Sequence, residues 1–380
     1  MEILQYTEEH KAFRQRLREF LAQEVTPHAA QWEADGVVPK SLWRKMGRAG
    51  FLCMNIAPQY GGRGGDFLYS VIMTEEISHT YITGVAAALH SDVVVPYIDS
   101  FASEALKQKY LPGCVSGDVI TAVAMTEPGA GSDLAGMQTT AEEQGDEVVI
   151  NGSKTFISNG INADLVIVAA KDPAEENPYN AISLYLVESG TPGFERGRHL
   201  EKMGWRSQDT AELFFSKCRV PVTNRIGDKG MGFLMLMQKL QQERLVTAFG
   251  AVTAAERILE WIVAHCKNTV VSGRPLAKSQ ATQFALVEMA TEVKLGRTFL
   301  DRLIVDHMEG RDVVVETSMA KYWCTDMVKR VADRSLELCG DYGTLEACPL
   351  ARCWRDVKVM SIFAGTNEIQ KGIAAKFMGL

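Results

Sequence analysis

From Met231 onward the chain repeats apolar residues at helical spacing through three long segments, 231–265, 282–308 and 312–339, with a further one toward the C-terminus. Helices of that length joined by short connections have few ways to cover their apolar faces, and the simplest is an antiparallel four-helix bundle. The tail is therefore a packed unit of its own, which leaves the preceding residues to build separate cores.

Those preceding residues change texture near Gly117. Ahead of it the pattern is helical. Phe13, Leu17, Phe20, Leu21 and Val25 share one stripe between Thr7 and Val25, with Thr7 placed to cap and Glu8 and Glu9 in the first turn. Helical spacing returns at Lys40–Gly50, Leu68–Ser78 and Glu104–Tyr110, and the glycines of APQYGGRGGD mark a loop. Beyond Gly117 the runs are short and β-prone: DLVIVAA, AISLYLVE and AELFFSKCRVP read as strands. Asn151-Gly152 in DEVVINGSKTFIS predicts a hairpin turn. The expected architecture is α+β, with an N-terminal helical domain over 1–117, a β-domain over 118–228 and a helical bundle over 229–380.

An apolar fraction of 46% and a charged fraction of 23% are those of an ordinary globular chain, and a net charge of −7 speaks against a nucleic-acid surface. The eight cysteines show no CxxC pairing or histidine partners, so neither zinc nor a disulfide framework is expected. No run approaches the roughly 18 apolar residues that span a bilayer. The N-terminal residues lack the apolar run of a secretory signal, and Glu8 and Glu9 disfavour a mitochondrial transit peptide, so a cytoplasmic location is expected.

Two stretches carry chemistry. In AMTEPGAGSDLAG (124–136), Gly129 and Gly131 let the backbone approach a ligand, and Thr126 and Ser132 add hydroxyls beside exposed N–H groups. In QQERLVTA, Glu243 falls on a stripe with Phe233, Leu236, Leu240, Thr247, Gly250, Ala254 and Ile258, where burial ordinarily demands a leucine. A carboxylate there is either a partnered core acid or a functional base.

As a whole string, AMTEPGAGSDLAG resembles the first signature of the acyl-CoA dehydrogenase family. NGSKTFISNG, KMGWRSQDTAELFF, QQERL and AGTNEI follow in family order across essentially the whole chain. The likeness is to the long-chain and isovaleryl-CoA branch. It implies FAD between the domains, an acyl-CoA substrate from fatty acid metabolism, electron-transfer flavoprotein as acceptor and a homotetramer. It also implies roles. Met125 and Thr126 would meet the flavin edge, and Ser132 would lie where cofactor pyrophosphate and CoA converge. Phe156 and Ser158 would lie against the isoalloxazine, and Thr366 and Glu368 near the nucleotide end. Gly340 and Gly343 belong to a second cofactor signature. Many members carry a catalytic glutamate where this chain has Ala364. In this branch the base comes instead from the ERL motif, which makes Glu243 the expected base and places Arg244 near CoA. Asp92, in LHSDVVVP, falls in the region bordering the acyl pocket, with a solvent-facing rim carboxylate as the plainer expectation.

The chain also departs from the family. TVVSG (269–273) puts Thr269 and Ser272 where members carry an arginine and a phenylalanine, and ELCGDYG puts Glu337 and Asp341 where glutamine and glycine are usual. These segments are ones a subunit lends to its neighbour's cofactor. Two readings stay open: drift with weaker FAD retention, or a non-catalytic or co-catalytic subunit that pairs with a sister chain.

Overall fold

A computed structural model describes residues 3–380. The N-terminal third is helical: α1 (Glu8–Glu24), α2 (Ala29–Asp35), α3 (Lys40–Arg48), α4 (Leu68–Ser78), α5 (Val95–Phe101) and α6 (Glu104–Ser116). Helix α1 starts as expected. The Thr7 hydroxyl accepts from the His10 N–H at 3.3 Å, and the His10 ring accepts the Thr7 N–H at 3.2 Å, a reciprocal cap. Helix α6 runs through Pro112 to Gly117, further than the sequence pattern indicated. Gly117 closes it in the left-handed region, where a Cβ would sit 2.2 Å from the Trp43 carbonyl oxygen. Between α4 and α5 the backbone widens into a π-helical turn, Leu89–Val94, which carries Asp92.

The middle of the chain is one eight-stranded sheet: β1 (Thr121–Ala124), β2 (Thr140–Gln144), β3 (Glu147–Ser158), β4 (Leu165–Lys171), β5 (Ile182–Glu188), β6 (Phe194–His199), β7 (Thr210–Pro221) and β8 (Arg225–Ile226). The order is β6-β7-β3-β2-β4-β5-β8, with β1 parallel to β4 and the short helix α7 (Pro178–Ala181) before β5. Strand β4 is a continuous apolar run because both faces are covered. Leu165, Ile167 and Ala169 join the N-terminal core, while Val166, Val168 and Ala170 face the sheet's own core.

The expected turn at Asn151-Gly152 is not there. Strand β3 passes straight through it, and the hairpin closes earlier at Gly145-Asp146, with Gln144 paired to Glu147 and a positive φ at Gly145. Asn151-Gly152 instead marks a bulge against β7, where Gly152 has φ 147° and its missing Cβ lets Thr139 pack against the backbone.

The last third builds α8 (Gly232–Asn268), α9 (Gln280–Met308) and α10 (Val314–Leu338), which share one core with Leu68 and Val71 of α4. The expected single fourth helix is two, α11 (Pro349–Val357) and α12 (Asn367–Phe377). The turn between them carries Ala364-Gly365, and that interruption presents a backbone carbonyl to Lys321 of α10. Between α8 and α9, Val270–Val271 (β9) and Arg274–Pro275 (β10) form a small hairpin with Ser272-Gly273 at its tip. Among the described residues no helix is long and apolar enough to cross a membrane.

Candidate active site

The glycine-rich segment leaves β1 and is fastened beneath by a buried ion pair. Lys154 Nζ on β3 donates to Glu127 Oε1 at 2.8 Å and to the Met125 carbonyl at 3.0 Å. Glu127 also accepts the N–H groups of Gln138 (2.6 Å) and Thr139 (2.9 Å). A second tie, Thr155 N–H to the Thr126 carbonyl at 2.9 Å, sets Met125 and Thr126 beside the residue after Thr155. That residue is Phe156, at φ 56° in a second irregularity of β3, with its ring 68% exposed. A ring that open is not packed in the core. Ser158, two residues on, is half-buried and pairs with Thr210 of β7. Ser132 is exposed, and a Cβ on Gly129 or Gly131 would meet nothing of the chain.

Helix α8 supplies the acid. Glu243 is half-buried, yet its Oε2 is sealed from solvent and meets no donor. Burial pushes its carboxyl up to about 7, against the opposing pull of Arg244 and Lys321. Glu243 is therefore no salt-bridged core acid. Arg244 is not a solvated surface arginine: it is buried, and its Nε has no partner among the described residues. The hydroxyl of Tyr97, on α5, is buried near both charges and likewise lacks a partner.

Asp92 also departs from the expected solvent-facing rim. It is buried, its Oδ1 accepts from Ser70 Oγ at 2.6 Å, and burial pushes its carboxyl up to about 7. Its backbone carbonyl accepts from Gln242 Nε2 at 2.6 Å, so the π-helical turn is joined to the residue before Glu243. Such widened turns free backbone carbonyls for bonds of this kind.

The turn before α12 is tied to α10, where Lys321 Nζ donates to the Gly365 carbonyl at 2.7 Å. Ala364 and Gly365 are both left-handed, at φ 58° and 81°, and among the described residues no acceptor meets the N–H of either. Thr366 caps α12 by accepting the Ile369 N–H at 3.3 Å, and Glu368 is exposed in that first turn. Gly340 and Gly343 are not brought to this place. They follow the far end of α10, and at about 1.5 Å per residue lie roughly 28 Å along it from Lys321, which faces Glu243. In this chain Gly343 serves packing: a Cβ there would sit 2.7 Å from the Leu336 carbonyl oxygen. Thr269 closes α8 at the same distant end.

Lys321 was not foreseen. It lies among the buried Thr317, Cys324, Thr325 and Val328 of α10, and the argument that singled out Glu243 on its stripe finds it too.

A raised, unpartnered carboxyl, a turn with unengaged backbone donors, an exposed ring and an open glycine loop are together the elements of a flavin-dependent oxidoreductase. Family models for the N-terminal, middle and C-terminal domains of acyl-CoA dehydrogenases match residues 7–118, 122–218 and 230–379. The long-chain specific acyl-CoA dehydrogenase of Sus scrofa mitochondria is 42% identical over 98% of this chain and 86% of its own length. The crystal structure of an acyl-CoA dehydrogenase from Geobacillus kaustophilus superposes with a TM-score of 0.97 at 51% identity, covering 99% of both chains. A chain from a study of the electron transferring flavoprotein of Acidaminococcus fermentans superposes at 0.94 with 32% identity, covering 100% and 99%. The chain belongs to the acyl-CoA dehydrogenase family, FAD-dependent oxidoreductases acting on the CH–CH bond of acyl-CoA.

The residues present fit FAD. An exposed aromatic face at Phe156, a loop whose glycines face open space, and orphaned polar atoms on Glu243, Arg244 and Tyr97 suit a flat cofactor with a thioester beside it.

Proposed function

We propose that Glu243 is the base that removes the α-proton of the acyl thioester. The observation that carries this reading is its sealed, unpartnered Oε2 on a carboxyl raised to about 7, basic enough to accept a carbon-bound proton once the thioester acidifies it. The α-proton passes to Glu243 as the C–H electron pair moves toward the new Cα–Cβ double bond. The N–H of Ala364 donates to the thioester oxygen, where negative charge gathers during that transfer. Arg244 lies toward the CoA part, and Asp92, tied to Gln242, borders the acyl group. Met125, Thr126, Ser132, Phe156, Ser158, Thr366 and Glu368 would hold FAD. When bound, FAD supplies the acceptor for the hydride that leaves the β-carbon.

The test is anaerobic mixing of the purified protein with acyl-CoA thioesters from four to sixteen carbons, read as loss of flavin absorbance. One member of the panel should bleach the wild type rapidly. Glu243→Gln should keep its FAD and bleach at least about a thousandfold more slowly, consistent with the loss of a general base at a carbon acid. Normal bleaching by this variant would remove Glu243 from the role.

The electron acceptor we infer is electron-transfer flavoprotein, supported by the likeness to the Acidaminococcus chain. Straight fatty acyl-CoA is the substrate class we favour, supported by the name of the Sus scrofa relative. Eight free thiols suit a reducing compartment, and the cytoplasm is the location we assign. The sister-chain reading is the weaker one, because the residues expected to do the chemistry are all in this chain. Stoichiometric FAD in the lone purified protein would end it.

A further inference from the structure

The turn that presents Ala364 is held from behind. Lys321 is fully buried, and its Nζ donates to the Gly365 carbonyl at 2.7 Å and to Asn367 Oδ1 at 3.2 Å. Gln370 Nε2 donates to the carbonyls of Ala364 (3.1 Å) and Gly365 (3.3 Å). Asn367 is itself fixed: Thr325 Oγ1 donates to its Oδ1 at 3.0 Å, and its Nδ2 donates to Asp326 Oδ1 at 3.0 Å and the Tyr322 carbonyl at 3.2 Å. A trans peptide sets its N–H opposite its carbonyl, so the N–H groups of Gly365 and Thr366 point away from these donors, and the fixed turn sets the orientation of the Ala364 N–H as well. Left-handed backbone is unfavourable for an alanine, so the turn depends on its partners, and among the described residues the Lys321 ammonium is the charged donor on its carbonyls.

We propose that Lys321 is a positioning residue for the dehydrogenation, pinning the Ala364-Gly365 turn so that its N–H groups face the substrate's thioester oxygen. The inference rests on the reading of Glu243 and Ala364 given above. A second consequence follows from charge. Lys321 faces Asp326 on its own helix, Glu243 and Arg244 on α8 and Glu368 on α12. Glu243 in turn faces Arg244, Lys321 and, from α5, Tyr97. Burial pulls the Lys321 ammonium down to about 8, just above Glu243, so carboxylate and ammonium coexist over a narrow interval. Turnover should rise with pH as Glu243 ionises and fall as Lys321 loses its proton.

The experiment compares FAD-loaded wild type with Lys321→Met. The variant should lose at least about tenfold in kcat, a larger change than in KM. Its acid limb in kcat/KM should move to higher pH, because Glu243 has lost a cation, and its alkaline limb near 8 should disappear. Calorimetric titration gives a readout independent of turnover. A 2-enoyl-CoA thioester should bind the variant at least about fivefold more weakly, while a thioether analogue with CH2 in place of the carbonyl binds both proteins equally. Equal losses for both ligands, or unmoved pH limbs, would overturn the proposal. If Lys321→Met does not retain FAD, Thr325→Val loosens Asn367 while keeping the ammonium. It should lower thioester binding selectively and by a smaller factor, and unchanged selectivity there also defeats the idea. An inactive Glu243→Gln beside an unaffected Lys321→Met would leave the base in place and remove only the pin. An active Glu243→Gln would remove the base while the thioether comparison still reads the turn.

Discussion

A carboxyl held unpartnered in the interior, as a proposed base must be, carries a stability cost that can be measured. The Glu243 carboxyl is raised from 4.5 to about 7, so between those values the folded chain binds a proton that the unfolded chain has released. Stability contributed at this site is therefore highest at low pH and falls as pH rises toward 7, reaching its full deficit above it. Glu243→Gln removes the charge and should raise the unfolding free energy at pH 8 by about 1–3 kcal/mol, from 1.36 kcal/mol per pKa unit discounted for partial exposure. Near pH 5 the two proteins should almost coincide. Denaturant unfolding at the two pH values checks this, and equal stability at pH 8 would show that the carboxyl is not strained by burial. The position of this acid was legible because a charge interrupts an apolar stripe. Its lack of a partner was not, since that depends on side chains from α5 and α10 that no spacing within α8 reveals.

At the scale of elements, the helices were the legible part, and the strand misread at Asn151-Gly152 shows where local signals fail. Two glycines on one hairpin compete as turn residues, and the pairing of Gln144 with Glu147 selects Gly145. Gly152 is kept for a different reason, the close approach of Thr139. The two should answer differently to alanine. Gly145→Ala meets only an unfavourable positive φ and should cost about 1 kcal/mol. Gly152→Ala adds a Cβ 2.5 Å from Thr139 Oγ1 and 2.7 Å from its Cα, and should cost about 3 kcal/mol or more. Thermal unfolding of the pair decides it, and the reverse order would put the turn back at Asn151-Gly152. The break between α11 and α12 was hidden for a similar reason. Its left-handed Ala364 is imposed by Lys321 and Gln370, and alanine itself signals helix.

For the whole molecule, the distance between Glu243 and the segments around Thr269 and Gly340 is the informative quantity. About 39 Å of α8 separates Glu243 from Thr269, counted at 1.5 Å per residue, so one chain does not fold these segments onto its own Glu243. The family resemblance implies that they serve a neighbouring subunit's cofactor, and the rigid length of the bundle is consistent with that. The surface offers a place for one. Phe284, Val287 and Leu295 lie on a single stripe of α9 and are 58%, 64% and 60% exposed, an apolar face of the kind that marks an interface. We expect the purified protein to be a tetramer by light scattering, and Val287→Asp to shift it toward smaller species, because a carboxylate buried there would lack a partner. If the neighbouring copy completes the cofactor site, FAD should be lost in step with the tetramer, read as flavin absorbance per chain. Dissociation with full retention of FAD would mean that residues 269–273 and 337–343 no longer serve a neighbour, which is what Thr269 and Asp341 would then record. An unchanged tetramer would place the interface on another face.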